Sequence, residues 1–554
     1  MHGRRTRKCS TNGMARRLVV ASAIGVVATA AFLPGSGLGS RAAVARGAQG
    51  IPAGLAAAIH AQLGAGAIRS SSAARAQGGP YFGYEAAVSA DGTTALVGAP
   101  GVDHKKGAAY IFHVSDAGSW SSSQTPTATL MNKPGPAHDQ LFGFGIALSA
   151  DGTTAFVGAP IAEAGGSGLG AVYVFHVGAE DAWASSSTPT ATLTVSDGIF
   201  VGVSLAVSLD GTTLVAGAPG FFSAGVAHVF HVSSEGAWAS TSTPTATLSN
   251  AAASSDDEVG GSVAISGDGT TALVGDSDYR GGGGAYVYHV SAESGWTSSS
   301  TPTAILFDVN SGDYDALGVS VALSGDGTVA LLGAPGVKSG TGAVDVFHTS
   351  GEAAWASTAT PTATLTNAGG SRGDIFGVSV AVSADGTAAL VTAAGVDGMR
   401  GAAYIFHASG EEAWASSSAS TATLTASGAH AKDILGVAPA LSGDGATAFV
   451  GAPGVRWQTG AVDVFHVADA SSWASSSTPT AILTDSALNQ CVVPRLKGLT
   501  VSAARSALRA RSCRLGRVRR VVHPRAKRGH VVSQSRNPGS RWAVGARVAV
   551  KIAK

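Results

Sequence analysis

Apolar and small residues alternate along Leu317-Gly-Val-Ser-Val-Ala-Leu-Ser324, with Val319, Val321 and Leu323 on one side of the alternation. That is the period of a half-buried strand. Asp326-Gly327 follows as a two-residue hairpin turn, because glycine accepts positive φ without a Cβ clash. Ala330-Leu331-Leu332 returns as a second strand. Gly333-Ala334-Pro335 ends it, since proline brings no N–H to a ladder. Two more apolar runs follow, so this unit predicts strands at 318–324, 328–334, 342–348 and 362–366.

The unit occurs seven times. Its turn aspartates are Asp91, Asp151, Asp210, Asp268, Asp326, Asp385 and Asp444, spaced by 60, 59, 58, 58, 59 and 59 residues. A four-stranded unit repeated at this period predicts a mainly β chain with a seven-bladed β-propeller of four-stranded blades. A small α+β module follows it. Each repeat also carries an aromatic-His step and, seven residues later, a tryptophan, as in Phe112-His113 with Trp120 and Phe347-His348 with Trp355. Both side chains are expected to pack in the hairpin between strands three and four, with the indole between blades and its N–H on a backbone acceptor.

Equivalent histidines on different blades lie far beyond the ~2 Å reach of a shared zinc ion. Each turn offers one carboxylate, where calcium needs several oxygens from one loop. No metal and no cofactor is expected.

Phe82-Gly83 with Gly98-Ala99-Pro100, and Phe142-Gly143 with Gly158-Ala159-Pro160, resemble FG-GAP repeats, the units of integrin-α-like propellers and of many bacterial surface proteins. The resemblance runs over roughly 81–485. It departs where Phe becomes Val201, Val259, Leu317 and Leu435, and where Gly-Ala-Pro becomes Gly275-Asp276-Ser277 and Thr392-Ala393-Ala394.

Charge divides the chain. Residues 1–50 hold eight Lys/Arg and no acid, residues 491–554 hold seventeen and no acid, and all 35 acids fall between. Arg4 to Arg17 precede the apolar run Leu18–Leu33, and Ala43-Val44-Ala45 is a small-x-small cleavage site, so residues 1–45 read as an export signal. The alternative is an uncleaved membrane anchor, for which sixteen apolar residues are short. Residues 46–80 read as an Ala/Gly/Ser-rich linker, 81–488 as the repeats and 489–554 as the module.

Turns between strands one and two keep their length, while the loops between strands two and three and the crossings between blades vary. Variation gathered on one face of a repeat protein marks a binding surface. That face carries Asp103, Asp256, Asp257, Asp278, Tyr279, Asp313, Tyr314, Arg456 and Trp457. No nucleophile elbow, zincin helix or phosphate loop is present, so no catalytic residue is assigned. Asp276, Asp278 and Arg280 come nearest to a paired-carboxylate site.

After Cys491 the composition changes. Leu499–Arg511 predicts a short helix capped by Thr500 or Ser502, and Arg517–Val522, His530–Gln534 and Val544–Ile552 predict strands. Val493-Pro494, Gly498-Leu499-Thr500, Ala507-Leu508, Gly529-His-Val-Val-Ser-Gln-Ser535 and Pro538-Gly539 resemble a PASTA domain. That resemblance implies a small sheet on one helix and binding to peptidoglycan fragments. Arg525, Lys527, Arg528, Gln534 and Arg536 are the candidate wall contacts of this basic module. Cys491 and Cys513 flank the helix and are expected to form a disulfide; the alternative is a pair of buried thiols.

The expected function is an exported, non-catalytic binding or adhesion protein. The basic module would meet peptidoglycan or anionic wall polymers, and the propeller a protein or glycan. Nucleic acid is not an expected partner, and a membrane only through an uncleaved leader. The alternatives are a hydrolase of envelope glycans in the propeller funnel, or a purely structural surface protein.

Overall fold

In a computed structural model the described residues are 79–132, 140–162, 170–196, 200–220, 224–254, 257–455, 459–488, 490–509, 511, 513–523, 526–543 and 545–554. The segment expected to be an export signal (residues 1–45), Cys9 within it, the expected linker up to residue 78, Asp256, Arg456, Trp457 and Arg525 lie outside them.

Each repeat is one antiparallel sheet whose four strands pair in chain order. In the first repeat they are Ala86–Val88, Thr94–Ala99, Ala108–His113 and Ala128–Leu130. In the fifth they are Ser320–Leu323, Val329–Ala334, Ala343–His348 and Ala363–Leu365, slightly shorter than the pattern predicts. The second strand is buried along its whole length in all seven repeats. After its first residue, threonine in five repeats, it therefore reads mostly as a continuous run of Ala, Val, Leu, Phe and Gly instead of an alternation.

The turn between the first two strands is wider than two residues. Ser324 N–H donates to Val329 O at 2.9 Å and Gly327 N–H to Ser324 O at 3.0 Å, so the loop is residues 325–328. The Asp326 carboxylate fills it, accepting from Ser324 Oγ at 2.6 Å, Thr328 N at 3.1 Å and Thr328 Oγ1 at 3.0 Å. Only Gly327 has positive φ (68°) in this loop, whereas a two-residue type I′ turn needs two such residues. Side-chain hydrogen bonds have replaced the tight backbone turn.

Glycines set the approach between sheets. A Cβ on Gly158 would lie 2.0 Å from Gly202 O of the next repeat, and one on Gly98 would lie 2.2 Å from Gly143 O. The Gly of Gly-Ala-Pro thus lies against the Gly at the Phe-Gly position of the following repeat, Gly143 after Phe142 and Gly202 after Val201. The first strands touch one another in cyclic order, and the seventh touches the first. Parallel bridges join each sheet to the next, and Phe82↔Gly460 and Ser123↔Leu483 join the seventh to the first. A Cβ on Gly451 would lie 2.1 Å from Gly83 O, so the same glycine contact recurs there. One core cluster spans both repeats, with Phe82, Tyr110 and Trp120 packed with Phe449 and Val464. Seven four-stranded sheets connected in this way are consistent with a β-propeller.

The tryptophans lock the turns. Trp355 Nε1 donates to Gly327 O at 2.8 Å, and the other six make the same bond to their own Asp-Gly turns. Trp120 meets Phe449 of the seventh repeat edge-on at 5.2 Å, so the indole fills the space between sheets. The histidines point elsewhere than expected. In five repeats Nδ1 pairs with the threonine that opens strand two, for example Thr94 and His113 at 2.9 Å. Val329 and Ala388 stand at that threonine position opposite His348 and His407.

In the C-terminal module the helix is Val501–Arg509, and Thr500 Oγ1 caps it by accepting from Ala503 N at 3.2 Å. Ala504 and Leu508 are buried. The three-stranded sheet places Arg547–Ala553 centrally, parallel to Arg514–Val521 and antiparallel to Val531–Gln534. A second small sheet pairs Gln490–Val492 with Arg541–Ala543. The sequence pattern misses it, because three residues are too few to show a period. Cys491 and Cys513 form a disulfide with Cα atoms 4.7 Å apart. Among the described residues no helix is long and apolar enough to cross a membrane.

Candidate functional site

The fourth repeat gathers most of the described candidates on the variable loops. Tyr314 N–H donates to Gly281 O at 2.9 Å, which ties the crossing loop to the loop between strands two and three. Tyr279 packs against Tyr286 at 5.8 Å and Phe307 at 5.7 Å. Arg280 lies 5.3 Å above the Tyr279 ring and 5.0 Å above Phe307. Asp313 is exposed beside them. Tyr279, Arg280, Asp313 and Tyr314 therefore form one patch. Asp257 braces its own loop, accepting from Ser254 N at 2.8 Å and Ser254 Oγ at 2.7 Å. Asp103 sits apart, on the first repeat, in an ion pair with Lys106 at 3.0 Å.

Asp276 is fully buried. It accepts from Tyr286 Oη at 2.6 Å and from Asp278 N at 3.2 Å. Burial, above all, pushes its carboxyl up to about 7. A carboxyl held inward by a tyrosine does not face Asp278 across an open cleft. Among the described residues no group of three or more His, Cys, Asp or Glu is placed to hold a metal ion.

Tyr286 belongs to a row that sequence reading missed. The third residue of strand three is Tyr110, Tyr173, His228, Tyr286, Asp345, Tyr404 and Asp463 in successive repeats. Tyr404 Oη accepts from Asn367 Nδ2 at 3.0 Å, and Asp345 accepts from Thr364 Oγ1 at 2.9 Å. Asp463 lies opposite Ile482, which has no donor to offer. Burial pushes Asp463 up to about 7, and the Asp433 carboxylate adds to the shift. The available signal is an acid inside an otherwise apolar Ala-x-x-Val-Phe-His strand.

The C-terminal module carries an open groove of about 480 Å³ lined by Ser535, Arg536, Asn537, Ser540, Trp542 and Arg547. The Arg536 guanidinium stacks on the Trp542 ring at 3.6 Å, and its Nε donates to Arg547 O at 3.1 Å. Trp542 Nε1 donates to Ser540 Oγ at 3.0 Å, which fixes the indole plane, yet the side chain stays 47 % exposed. Cation–π stacking holds the pair without hiding its outer face. Gln534 does not take part. It accepts from Leu496 N at 2.7 Å and donates to Pro494 O and Arg536 O at 2.9 Å, so all its work is inside the module. Lys527 is exposed, and Arg528 borders a smaller depression of about 250 Å³ with Arg520 and Lys554. Sequence reading passed over Trp542, a single aromatic in an arginine-rich stretch with no period to mark it.

Residues 72–112 and 360–406 match the FG-GAP repeat family, and residues 492–554 match the PASTA domain family. The chain thus carries FG-GAP repeats and a C-terminal PASTA domain. Both are non-catalytic modules, and together they are consistent with a surface or binding protein. PASTA domains bind peptidoglycan or related ligands, which suggests a bacterial wall or surface context. No curated protein matches the chain. Among solved structures, the hydrazine synthase of Kuenenia stuttgartiensis matches at 13% identity and a TM-score of 0.45, over 73% of this chain and 99% of that one.

Proposed function

We propose that the chain is an exported, non-catalytic surface protein in which a closed seven-bladed propeller presents ligand-binding loops and the PASTA domain holds bacterial cell wall. The observation that carries the wall reading is the Trp542–Arg536 stack beside Arg547. An exposed indole face suits a sugar ring, and guanidinium groups suit the carboxylates of wall peptides. Lys527 is exposed and Arg528 borders a separate depression with Arg520 and Lys554, so both add positive charge elsewhere on the module. On the propeller, the patch of Tyr279, Arg280, Asp313 and Tyr314 is the best-formed part of the loop face, and a protein or glycan is its expected ligand.

The test is sedimentation of purified peptidoglycan with the full chain, with Trp542→Ala and with Arg536→Gln, at moderate salt. Trp542→Ala should lower the bound fraction about tenfold, as loss of a central aromatic contact does. Unchanged binding by both variants would remove the groove from the reading. Binding that disappears in the parent chain as salt rises would reduce it to charge attraction alone.

A further inference from the structure

The outer face of the three-stranded sheet carries like charges side by side and meets the groove at Arg547. In the parallel pairing of Arg514–Val521 with Arg547–Ala553, Arg514 lies opposite Arg547 and Arg519 opposite Lys551. All four are exposed. On the central strand Val548, Val550 and Ile552 are buried, so Arg547, Ala549 and Lys551 take the outer side of the pleat. Arg517, also exposed, falls at the bulge between Leu515 and Val518. Ser533 of the third strand pairs with Lys551 and extends the face with a hydroxyl.

Opposed like charges on neighbouring strands, about 5 Å apart, destabilise a sheet. Nothing local relieves them. Residues 489–554 contain no acid, and among the described residues none of these five cations is in an ion pair. Charges on an edge strand guard against edge-to-edge pairing. Arg547 and Lys551 are on the central strand, where there is no edge to guard. A file of cations across a sheet centre is the footprint of an extended polyanion.

We infer that the outer face of this sheet, centred on Arg519 and Lys551, docks a linear phosphate polymer. Four of the five cations are arginines, whose planar forks grip phosphate oxygens in pairs. Around Arg519 and Lys551 the paired strands carry no Phe, Tyr or Trp among the described residues, so the centre of the face has no platform on which nucleic-acid bases would stack. It reads a repeating phosphate backbone and nothing else. This goes beyond the glycan groove, and Arg519 and Lys551 do not line that groove.

The experiment measures binding of the full chain to fluorescent poly(glycerol phosphate) between roughly 50 and 200 mM salt. The double variant Arg519→Gln/Lys551→Gln should lose about tenfold in affinity at the low end. Its log–log salt slope should fall by about 1.4, at roughly 0.7 per cation removed. Its melting temperature should hold or rise, because a repulsive pair is gone, so weaker binding is not unfolding. The control Lys497→Gln/Arg505→Gln, with the same net charge, should stay within about twofold of the parent. Equal loss in the control would overturn the inference in favour of bulk charge. Loss of polymer binding in Trp542→Ala would overturn it by placing the polymer in the groove. Tighter binding to oligo-dT or to phosphatidylglycerol vesicles than to the polymer would overturn the choice of partner. Intact polymer binding in a Trp542→Ala variant that no longer sediments with peptidoglycan would support two separate surfaces.

Discussion

Thr153 of the second repeat donates its hydroxyl to Glu235 Oε2 of the third at 2.8 Å, while the same oxygen lies 3.0 Å from both carboxylate oxygens of Asp151. One hydroxyl has one proton to give. Two carboxylates around it need a second proton or they repel. Burial raises Asp151, but hydrogen bonds from Ser149 and Thr153 outweigh it, and its carboxyl sits below the usual range. Burial raises Glu235 above the usual range, with Asp151 contributing. The extra proton belongs on the glutamate. The same bridge joins Thr93 to Glu180, Thr212 to Glu293, Thr270 to Glu352 and Thr328 to Glu411. The two junctions flanking the seventh repeat have Ala470 and Ala117 at the glutamate position instead.

Glu235→Gln should therefore help at alkaline pH. A carboxyl raised in the folded state supports folding fully below its ordinary value, and that support is lost as pH rises through the folded value. Glutamine keeps a donor at every pH. The variant should match the parent near pH 4 and exceed it at pH 8 by about 0.5 kcal/mol, allowing for solvent screening at a half-buried site. Thermal melts at both pH values decide it, and a variant that melts lower than the parent at pH 8 would refute the proton assignment.

Ring closure has its own test in the glycine contacts. Gly158→Ala forces a methyl to within 2.0 Å of Gly202 O, and Gly451→Ala forces one to within 2.1 Å of Gly83 O. Backbone cannot give way as a flexible side chain can, so each should cost on the order of 3 kcal/mol. If the seventh repeat is closed on the first, the two variants lower the melting temperature alike. A Gly451→Ala protein that melts like the parent would mean that this junction opens freely.

These contacts mark where sequence reading stops. The strands were legible because Val319, Val321 and Leu323 alternate and Asp326-Gly327 interrupts them, all within twenty residues. Trp355 was legible by its fixed spacing from His348. The bond between Thr153 and Glu235 joins residues 82 apart, and no local period announces it. A glutamate three places before the tryptophan in five repeats was the only visible sign. The paired signature glycines could be read as turn residues, but their steric role needs the neighbouring sheet in place. Gln534 stands out in the sequence by its Val-Ser-Gln-Ser motif, but its side chain bonds Leu496, Pro494 and Arg536 within the module.

The Cys491–Cys513 disulfide ties a strand with a buried flank to the end of the helix, closing 22 residues of chain. A loop of that length is worth about 3 kcal/mol through its effect on the unfolded state. The module has a small core built on Leu496, Ala504, Leu508 and Val548. Cys491→Ser/Cys513→Ser should thus lower the melting transition of the module well before that of the repeats. Calorimetry with and without reductant separates the two transitions. If the double variant left both unchanged, the bond would add nothing to the stability of the module.

Asp463 gives the sharpest pH prediction. Its carboxyl is 4% exposed, faces Ile482 across the sheet and has the Asp433 carboxylate for a neighbour. Most repeats place tyrosine there, whose hydroxyl reaches a polar side chain at the crossing, as Tyr404 reaches Asn367. With a folded value of about 7 against an ordinary 3.8, Asp463 is comfortable protonated and uncomfortable charged. Its contribution to stability is complete below pH 4 and is lost as pH rises through 7. Asp463→Asn keeps the shape and removes the titration. It should flatten the fall in stability between pH 5 and 8 and raise stability at pH 8 by on the order of 3 kcal/mol. Asp345→Asn should do the same to a similar extent, because burial carries Asp345 up to about 7 as well, even with Thr364 donating to it. Denaturant unfolding at pH 5 and 8 measures both, and an Asp463→Asn protein with the parent's pH slope would show that this carboxyl is ionised in the folded state without penalty.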